Sequence, residues 1–258
     1  MTLPLVFITG ASSGIGQALA TRFHAAGYRL ALVARRVAEV QSWAQSQGFE
    51  PSRFAVYAAD VRNIAAITGA GHACTAAQGL PDVVIASAGI SVGIDTAVFD
   101  DLEVMRSVFE TNNLGTAATF QPFVAAMCKR GSGALVGIAS VAAIRGLPGH
   151  GAYCASKAAV VAYCESLRGE LRPSGVKVVT IVPGYIDTPL TRKNPYGMPF
   201  LMPADAFAQR AFEAISAGAS YRVIPWQMGV VAKLLRLLPN PLFDKLLAGR
   251  ARKPRRST

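Results

Sequence analysis

Residues 3–16 have the sequence LPLVFITGASSGIG, and this stretch decides the fold class. It joins a short apolar run, typical of a buried strand, to three glycines in the spacing G-x-x-x-G-x-G. Glycines let a backbone approach a pyrophosphate, and the N-terminus of the following helix offers unpaired N–H groups to an anion. A glycine cluster can also be a simple tight turn, but its place between a strand and a helix favours a dinucleotide site. The residues expected to form that site are Gly10, Ser12, Ser13, Gly14, Ile15 and Gly16.

Short β-branched runs alternate with longer segments of helical periodicity along most of the chain. The predicted strands are Leu3–Ile8, Arg29–Val33, Arg53–Ala58, Asp82–Ala86, Gly133–Ala139, Lys177–Val182 and Tyr221–Ile224. The predicted helices include Ile15–Ala26, Val37–Gln47, Asp101–Lys129 and Ala152–Leu171. This alternation predicts the α/β class, as one doubly wound parallel sheet of about seven strands with helices on both faces. A ligand should then lie at the carboxyl ends of the strands.

The formal net charge of +11 is unevenly distributed over the 258 residues. Residues 229–258 carry eight basic side chains and one acidic side chain, so most of the excess lies in this C-terminal segment. With 52% hydrophobic residues, the chain is not an intrinsically disordered one. The remainder is nearly balanced and has no nucleic-acid recognition motif, so we expect no nucleic-acid partner.

Cysteine and histidine usage indicates neither a metal site nor a disulfide framework. Cys74, Cys128, Cys154 and Cys164 form no C-x-x-C pair, and there are only three histidines. We therefore expect no metal and free thiols in a reducing cytosol. The apolar start of the chain lacks the basic residues of a signal peptide, and no charge-free apolar run reaches the ~18 residues of a membrane span. These features predict a cytoplasmic location.

Two arginines follow the second predicted strand, where the choice between NAD and NADP is made in dinucleotide-binding folds. A carboxylate at this place binds the ribose hydroxyls of NAD, whereas an arginine accommodates the 2′-phosphate of NADP. Arg35, followed by Arg36, therefore predicts a preference for NADP(H), with NAD(H) as the alternative. The pair could also be an ordinary solvated surface pair. After the third strand, Asp60 and Val61 are expected near the adenine amino group.

A serine, a tyrosine and a lysine form the predicted catalytic constellation. Ser140 follows the fifth strand, Tyr153 comes thirteen residues later, and Lys157 is four residues further on. Residues four apart share one helix face, and an ammonium beside a phenol is expected to lower the pKa of Tyr153. Such a tyrosine can exchange a proton with a carbonyl or alcohol oxygen. A Tyr-x-x-x-Lys pair alone is usually a surface pair, but with the glycine loop and Ser140 it predicts a catalytic site.

The motifs Thr9–Gly16, Ser140, Tyr153 and Lys157 resemble the short-chain dehydrogenase/reductase family over roughly residues 3–225. The resemblance implies a Rossmann-type fold and hydride transfer between a nicotinamide and a carbonyl/alcohol pair. It implies that Tyr153 is the general acid/base and that Ser140 orients the substrate. Lys157 would bind the nicotinamide ribose and tune the tyrosine.

The same resemblance assigns further residues around the nicotinamide. It implies that Asn112 holds a water in a proton relay through Lys157, with Asn113 as the alternative if the helix register differs. The residues that it places beside the cofactor are Ser87, Ala88, Gly89, Pro183, Gly184, Ile186 and Thr188. The family usually has asparagine where this chain has Ser87, a change that should weaken support of the cofactor loop but leave the proton-transfer residues intact.

Residues 188–204 are expected to form a lid over an apolar substrate pocket. The apolar and aromatic residues of this segment are Pro195, Tyr196, Met198, Phe200, Leu201 and Met202. Arg192 and Lys193 could contact an acidic group of the substrate, although surface charge is the commoner explanation. His150 could line the pocket or be an ordinary loop residue, and we assign it no catalytic role.

Residues 226–258 are predicted to form a C-terminal extension to an NAD(P)-binding catalytic domain of residues 1–225. Trp226–Leu238 and Leu242–Ala248 each place apolar side chains on one helix face, with a proline-containing break between them. Gly249–Arg256 is polybasic and expected to be disordered. Two amphipathic segments followed by a basic cluster suit peripheral contact with an anionic membrane. The same faces could equally pack against the body or a second subunit.

The predicted function is NADPH-dependent reduction of an apolar or lipid-like small-molecule ketone, or the reverse oxidation of a secondary alcohol. One alternative is an epimerase or dehydratase, whose relatives tend to be longer and to have G-x-x-G-x-x-G spacing. Another is a non-catalytic NAD(P)-binding sensor or scaffold, which often lacks the tyrosine or the lysine. The family further implies a homodimer or homotetramer through helices around Asp101–Lys129 and Ala152–Leu171.

Overall fold

The computed structural model describes residues 3–249 and 251–255. Within them, seven parallel strands form one sheet in the order β3-β2-β1-β4-β5-β6-β7. The strands are β1 (Leu5–Thr9), β2 (Arg29–Ala34), β3 (Phe54–Ala58), β4 (Val83–Ala86), β5 (Ala134–Ile138), β6 (Lys177–Pro183) and β7 (Tyr221–Ile224). Helices cover both faces, so the predicted Rossmann-type α/β fold is confirmed.

The helices begin and end close to where the periodicity places them. Those of the described residues are α1 (Gly14–Ala25), α2 (Val37–Ser46), α3 (Ile64–Gln78), α4 (Asp101–Phe109), α5 (Gly115–Arg130), α6 (Gly151–Leu171), α7 (Ala204–Ser216), α8 (Trp226–Leu237) and α9 (Asn240–Leu247). One prediction was wrong. The helix expected over residues 101–129 is interrupted between α4 and α5 by one π-helical turn, Glu110–Leu114.

Two hydrophobic layers enclose the sheet, because successive strand residues point to opposite faces. Val6 and Ile8 of β1 face the layer formed with α1, α2 and α7. Leu5 and Phe7 face the layer formed with α3, α5 and α6, where Phe7 meets Phe123 edge-on at 4.9 Å between ring centres. All five residues of β1 are buried, as expected for the centre of a parallel sheet.

The turn between β1 and α1 requires glycine at two places. Gly10 has a φ of +72°, and a Cβ there would lie 2.8 Å from the backbone of Ala88. A Cβ on Gly16 would lie 2.2 Å from the carbonyl oxygen of Gly10. The first turn of α1 can therefore pack on the end of β1 only because residue 16 has no side chain. This packing holds the N-terminus of α1 at the carboxyl edge of the sheet.

The two C-terminal helices pack on the body through one face. α8 buries Met228, Gly229 and Ala232 against β7 and the short turn that follows β5, and α9 buries Phe243. Their remaining apolar side chains point outward. Across residues 3–249 and 251–255, no helix combines the length and the apolar character needed to cross a bilayer.

Arg145 joins both C-terminal helices to the body. Its guanidinium donates hydrogen bonds to the carbonyl oxygens of Leu235 and Leu238 at the end of α8. It also donates to the side-chain oxygen of Asn240 at 3.0 Å and lies 3.7 Å from the ring centre of Phe243. A cation at a helix C-terminus satisfies carbonyl groups that have no intrahelical partner. The break between α8 and α9 is thereby fixed in place.

Residues 251–255, the C-terminal strap, fold back over the body, so the prediction of disorder was wrong for these residues. The N–H of Gly93 donates to the carbonyl oxygen of Pro254 at 3.0 Å. The Arg255 guanidinium binds both carboxylate oxygens of Asp101, at 2.7 and 3.2 Å. Asp101 is only 5% exposed, and a buried carboxylate needs such a partner. Two residues of the polybasic stretch Gly249–Arg256, Arg250 and Arg256, lie outside the described residues.

We expect Gly16→Ala to lower the free energy of unfolding by about 1–3 kcal/mol, because the new methyl group must displace the Gly10 carbonyl. Gly69→Ala is the matched control. Gly69 lies within α3 and nothing lies within 4 Å of its added Cβ, so the higher helix propensity of alanine should stabilise the protein by up to ~1 kcal/mol. Urea unfolding followed by circular dichroism measures both variants. Equal effects would contradict the packing assigned to Gly16.

Candidate active site

A groove of about 430 Å³ runs along the carboxyl ends of the strands, the edge where this fold binds ligands. Every residue that the sequence placed beside the cofactor lines this groove. These residues are Gly10, Ser12, Ser13, Gly14, Ile15, Gly16, Arg35, Arg36, Asp60, Val61, Ser87, Ala88, Gly89, Tyr153, Lys157, Pro183, Gly184, Ile186 and Thr188. The fold thus brings the loops after six different strands to one surface.

The N-terminus of α1 opens into this groove without a side-chain cap. Ser13 at the N-cap is extended and makes no capping hydrogen bond, and the first turn contains no acidic residue. The positive end of the helix and its unpaired N–H groups are therefore left for an anion. This arrangement suits the phosphates of a dinucleotide.

The two arginines after β2 lie at the outer part of the groove. The side chain of Arg35 is 68% exposed, and its Nη1 lies 3.7 Å from Oδ2 of Asp60. Arg36 donates to the Ser12 hydroxyl at 3.4 Å and pairs with Glu39 at 3.1 Å. Both guanidinium groups are solvated and line the groove, and Arg36 contacts the glycine loop, as a contact with a 2′-phosphate would require.

Asp60 has a partner that the sequence did not reveal. Both of its carboxylate oxygens accept hydrogen bonds from Arg62, the shortest at 2.8 Å. These bonds hold the pKa of Asp60 below its usual range. Arg62 was missed because nothing in a single sequence distinguishes it from other surface arginines. The contact of Asp60 and Val61 with an adenine stays a prediction.

The loop after β4, where Ser87 replaces the family's usual asparagine, is supported from β1. The hydroxyl oxygen of Thr9 accepts hydrogen bonds from the N–H groups of Ser87 and Ala88, at 3.2 and 3.4 Å. Thr9 itself is buried and donates to the carbonyl oxygen of Ile85. The backbone of this loop is therefore held by Thr9 whatever the side chain at residue 87.

Ser140, Tyr153 and Lys157 come together beside the groove. Ser140 follows β5, where its Oγ accepts the N–H of Ala142 at 3.2 Å and lies near the Tyr153 phenol, whose pKa it acts to lower. Lys157 lies one turn beyond Tyr153 on α6, with its Nζ 5.9 Å from the tyrosine ring centre. Its ammonium donates to the carbonyl oxygen of Ile138, at the end of β5, at 2.7 Å. The predicted constellation is therefore assembled by β5 and α6.

A second cavity, of about 960 Å³, opens from the same side chains. Ser140 and Tyr153 line both this cavity and the groove. Most of its other lining residues are apolar or aromatic and include Leu147, Tyr185, Tyr196, Met198, Pro199, Met228, Val231, Ala232, Leu235 and Leu247. A concave, mostly apolar cavity with a few polar groups is typical of a small-molecule site.

The predicted lid, residues 188–204, borders the cavity only in part. Tyr196 and Met198 line it. The other apolar residues predicted there do not, since Pro195, Phe200 and Leu201 are exposed and Met202 is buried in the core. Arg192 pairs with Asp187 at 2.7 Å on the surface, so the surface-charge alternative applies to this arginine.

His150 lines the cavity without the neighbours of a catalytic base. Its Nε2 hydrogen-bonds with the Tyr196 hydroxyl at 3.0 Å, and its Nδ1 lies 3.2 Å from the carbonyl oxygen of Pro148. Burial lowers the pKa of His150, so the imidazole is uncharged at neutral pH. Among the residues that the structure describes, no cluster of His, Cys, Asp and Glu could hold a metal ion.

The sequence pattern of the short chain dehydrogenase family matches residues 4–197. The chain belongs to this family. An uncharacterised oxidoreductase of Myxococcus xanthus (strain DK1622) is 38% identical over 249 residues, which cover 95% of this chain and 96% of that protein. The resemblance found in the sequence is thereby confirmed.

Two solved structures of the family resemble this short-chain dehydrogenase closely. An alcohol dehydrogenase from the archaeon Thermococcus sibiricus, complexed with 5-hydroxy-NADP, is 26% identical with a TM-score of 0.75, covering 86% of this chain and 96% of that one. A 3-ketoacyl-(acyl-carrier-protein) reductase from Brucella melitensis, complexed with NADH, is 26% identical with a TM-score of 0.76, covering 85% and 94%.

Burial controls the protonation of the tyrosine and lysine in this short-chain dehydrogenase. It raises the pKa of Tyr153 above the ordinary value, and the nearby Ser140 hydroxyl offsets this only in part. Burial also lowers the pKa of Lys157 to about 8. The expectation that Lys157 lowers the pKa of Tyr153 is therefore wrong for the protein groups alone. The ammonium is directed to Ile138, and desolvation disfavours the charged form of both side chains.

The side chain of Asn112 joins the π-helical turn to the loop after β4 and to α6 by hydrogen bonds. Its Oδ1 accepts the N–H of Ile90 at 2.9 Å, and its Nδ2 donates to the carbonyl oxygen of Ile90 and to the hydroxyl of Ser156, at 3.1 and 2.8 Å. The side chain is fully buried and does not line the groove. All of its polar atoms are hydrogen-bonded, so the water-holding role in a relay through Lys157 stays a prediction.

Asn113, the alternative to Asn112, contacts the same helix. Its Nδ2 donates to the carbonyl oxygen of Ser156 at 2.8 Å, and its buried Oδ1 has no hydrogen-bond partner in the described part of the chain. The wider π-helical turn lets both neighbouring asparagines face α6, and such turns are frequent at functional sites. No sequence pattern marks this turn, which is why it was not predicted.

Thr191 organises the loop after β6 and was missed in the sequence. Its hydroxyl donates to the carbonyl oxygen of Ile186, and it accepts the N–H of Thr188 at 3.0 Å. The hydroxyl groups of Thr188 and Thr191 are also 3.1 Å apart. Thr191 lines both the groove and the cavity, and its hydrogen bonds order the segment of Ile186 and Thr188 that is predicted to lie beside the cofactor.

Proposed function

We propose that this dehydrogenase transfers a hydride between a nicotinamide dinucleotide and a carbonyl/secondary alcohol pair. The proposal depends on one observation, that Ser140 and Tyr153 line both the groove and the cavity. A nicotinamide in the groove and a ketone in the cavity would meet at these two side chains. The apolar cavity favours an apolar or lipid-like ketone. The two solved relatives, complexed with 5-hydroxy-NADP and NADH, support a nicotinamide cofactor.

The protein groups fit the reducing direction. Bound reduced nicotinamide supplies the hydride. Ser140 would donate a hydrogen bond to the ketone oxygen, and Tyr153 would give that oxygen its phenolic proton. Because burial raises the pKa of Tyr153, the phenol is protonated at neutral pH, as an acid must be. Lys157, with a pKa of about 8, is mostly protonated there and would stabilise the phenolate left behind.

We expect Tyr153→Phe to lower kcat for ketone reduction by a factor of roughly 10²–10⁴, because it removes the acid and keeps the ring. NADPH affinity, measured by fluorescence titration, should change little. Tyr163→Phe is the matched control, since Tyr163 lies on the same helix stacked against Phe120 and outside the site. Full activity of Tyr153→Phe across ketones of graded chain length would refute the assignment.

The proposal includes a preference for NADPH over NADH. Arg35 and Arg36 line the groove at the end of β2, where a 2′-phosphate is expected. Asp60 lies close to Arg35, but its carboxylate is hydrogen-bonded by Arg62. The two arginines therefore leave positive charge at the place that distinguishes the two cofactors.

Arg35→Ala should raise the KM for NADPH by about ten-fold or more, because the loss in binding free energy should be that of one charge-assisted hydrogen bond. The KM for NADH and kcat with either cofactor should stay close to the parent values. Arg106→Ala, which removes an exposed arginine paired with Glu103 on α4, is the control. Steady-state kinetics with both cofactors measures the difference. A parallel loss with NADPH and NADH would assign Arg35 another role.

The alternative functions fit the site less well. A sensor or scaffold does not require an acid, a lysine and a serine assembled between a groove and a cavity, and here all three are present. An epimerase or dehydratase is expected to have the other glycine spacing and a longer chain. Binding of NADPH without turnover of any ketone would favour the sensor.

Assembly, domain limits and location remain part of the proposal. Exposed apolar residues on α4 and near α5, Leu102 and Leu114, together with Tyr163 on α6, support a homodimer or homotetramer through these helices. The boundary at residue 225 stays a prediction, although α8 contributes to the cavity. The four cysteines are free, which fits the reducing cytosol expected from the sequence.

We also propose that α8 and α9 contact an anionic membrane surface. The outward apolar side chains are Trp226 (66% exposed), Val230, Leu234 (60%) and Leu237 (79%) on α8, and Leu242 and Leu246 on α9. Three basic residues of the same helices, Lys233, Arg236 and Lys245, are exposed beside them. Asp244 is their only acidic residue. An apolar face flanked by cations complements anionic lipid better than it complements water or a neutral bilayer.

Replacing Leu234 and Leu237 together by glutamate should abolish flotation with phosphatidylserine-containing liposomes and leave ketone reduction intact. The unmodified protein should float with these vesicles more than with pure phosphatidylcholine. Ile64→Glu, on an exposed apolar residue of α3, is the control and should float as the parent does. Unchanged flotation of the double variant would refute the contact. A change in its oligomeric mass would show that the face binds a second copy instead.

A further inference from the structure

The cavity contains a lysine that the proposed reaction does not use. Lys253, from the C-terminal strap, lines the cavity and is only 9% exposed. Its Nζ donates to Oδ1 of Asn194 at 2.6 Å, which is a neutral partner. Among the described residues, no carboxylate lies within ion-pair distance of this ammonium, and no Asp or Glu lines the cavity. Burial accordingly lowers the pKa of Lys253.

The chain on both sides of Lys253 is fixed in place. On its C-terminal side, Arg255 is bound to the buried carboxylate of Asp101, and Pro254 accepts the N–H of Gly93. The backbone of Lys253 lies so close to Gly93 that a Cβ there would be 2.1 Å from the Lys253 carbonyl oxygen. The lysine is therefore carried to the cavity by a segment with specific contacts and does not reach it as a loose chain end.

The other basic residues of the cavity already have roles in the protein. Arg145 is committed to the end of α8 and to Asn240. His150 has its pKa lowered by burial, and the charge of Lys253 lowers it further. The guanidinium of Arg145 is thus occupied by several acceptors, whereas the ammonium of Lys253 donates, among the described residues, only to the neutral amide oxygen of Asn194. Burying an ammonium without an anion is unfavourable, and a ligand that supplied the anion would offset that cost on binding.

We propose that Lys253 binds a carboxylate or phosphate group of the substrate, so that the ketone reduced at Tyr153 is an amphiphile with an anionic end. The inference rests on the proposed function and narrows its substrate class. The carbonyl would lie at Ser140 and Tyr153, the apolar chain against α8, and the anionic group at Lys253 with the Tyr196 hydroxyl near it. Lys253 then acts as a specificity residue and takes no part in proton transfer.

The test uses binding of ligands that need no turnover. Isothermal titration of the NADPH-loaded full chain compares decanoate, decyl phosphate and the uncharged methyl decanoate. Lys253→Met keeps an apolar stem and removes the charge, Lys253→Arg restores a charge, and Lys245→Met removes an exposed lysine of α9 as the control. Reduction of an oxo acid and of its methyl ester is measured in parallel.

The parent should bind decanoate or decyl phosphate at least about ten-fold more tightly than the ester, and the tighter of the two identifies the anionic group. Lys253→Met should lose that difference, mainly as a raised KM for the oxo acid, with the ester unaffected; Lys253→Arg should keep most of it. Equal losses for acid and ester in Lys253→Met would show a purely structural lysine, and no preference in the parent would also overturn the proposal. Preferential anion binding without reduction of either ketone would leave this site intact and refute the proposed reaction instead.

Discussion

The rest of the site depends on the close approach of backbone segments at the end of β1. The Gly10 carbonyl lies where any side chain of residue 16 would be, and Gly10 itself lies against the backbone of Ala88. These two approaches fix the axis of α1 relative to the sheet and bring the loops after β1 and β4 together. The strand order reverses between these strands, so the groove opens where their connections diverge. A dinucleotide at this place would need no buried polar side chain to bind it, because backbone groups of the glycine loop would contact its phosphates.

Burial determines the pKa values in the candidate active site as well as the packing of the core. β5 and α6 bury Lys157 and partly bury Tyr153, and this burial raises the pKa of the phenol and lowers that of the ammonium. Both shifts favour the neutral forms. Without a cofactor, the Tyr153 phenol therefore keeps its proton, and the Lys157 ammonium loses its proton more easily than an exposed lysine does. Asn112 contributes indirectly, because its bonds to Ile90 and Ser156 join the π-helical turn to the β4 loop and to α6. The buried amide of Asn112, whose side-chain polar atoms are all hydrogen-bonded, therefore helps to hold the geometry of the site.

Features that depend on local sequence patterns could be predicted, whereas contacts between residues far apart in the chain could not. The strand and helix order, the glycine loop and the Tyr153–Lys157 pair were recognisable because each depends on residues close in the chain. The Arg255–Asp101 pair joins residues 154 positions apart, and a run of basic residues in the sequence indicated only a solvated tail. The Asp60–Arg62 pair was equally hidden, because its two-residue spacing matches no motif. The direction of the pKa shift of Tyr153 could not be predicted either, since it depends on how deeply the phenol is buried.

The cavity shows why membership of the family does not by itself identify a substrate. The match to the family pattern ends at residue 197, whereas α8, α9 and the C-terminal strap, which form a large part of the cavity wall, lie beyond it. The groove and the residues proposed to transfer the proton fall within the shared part, and the family is one of oxidoreductases. The extension adds mainly apolar side chains and Lys253 to a cavity that the body also lines, and Arg145 and Asp101 of the body anchor the added chain. The way the extension folds back onto the sheet thus adds residues to the proposed substrate cavity that the family pattern does not cover, and Lys253 near its end places a positive charge there.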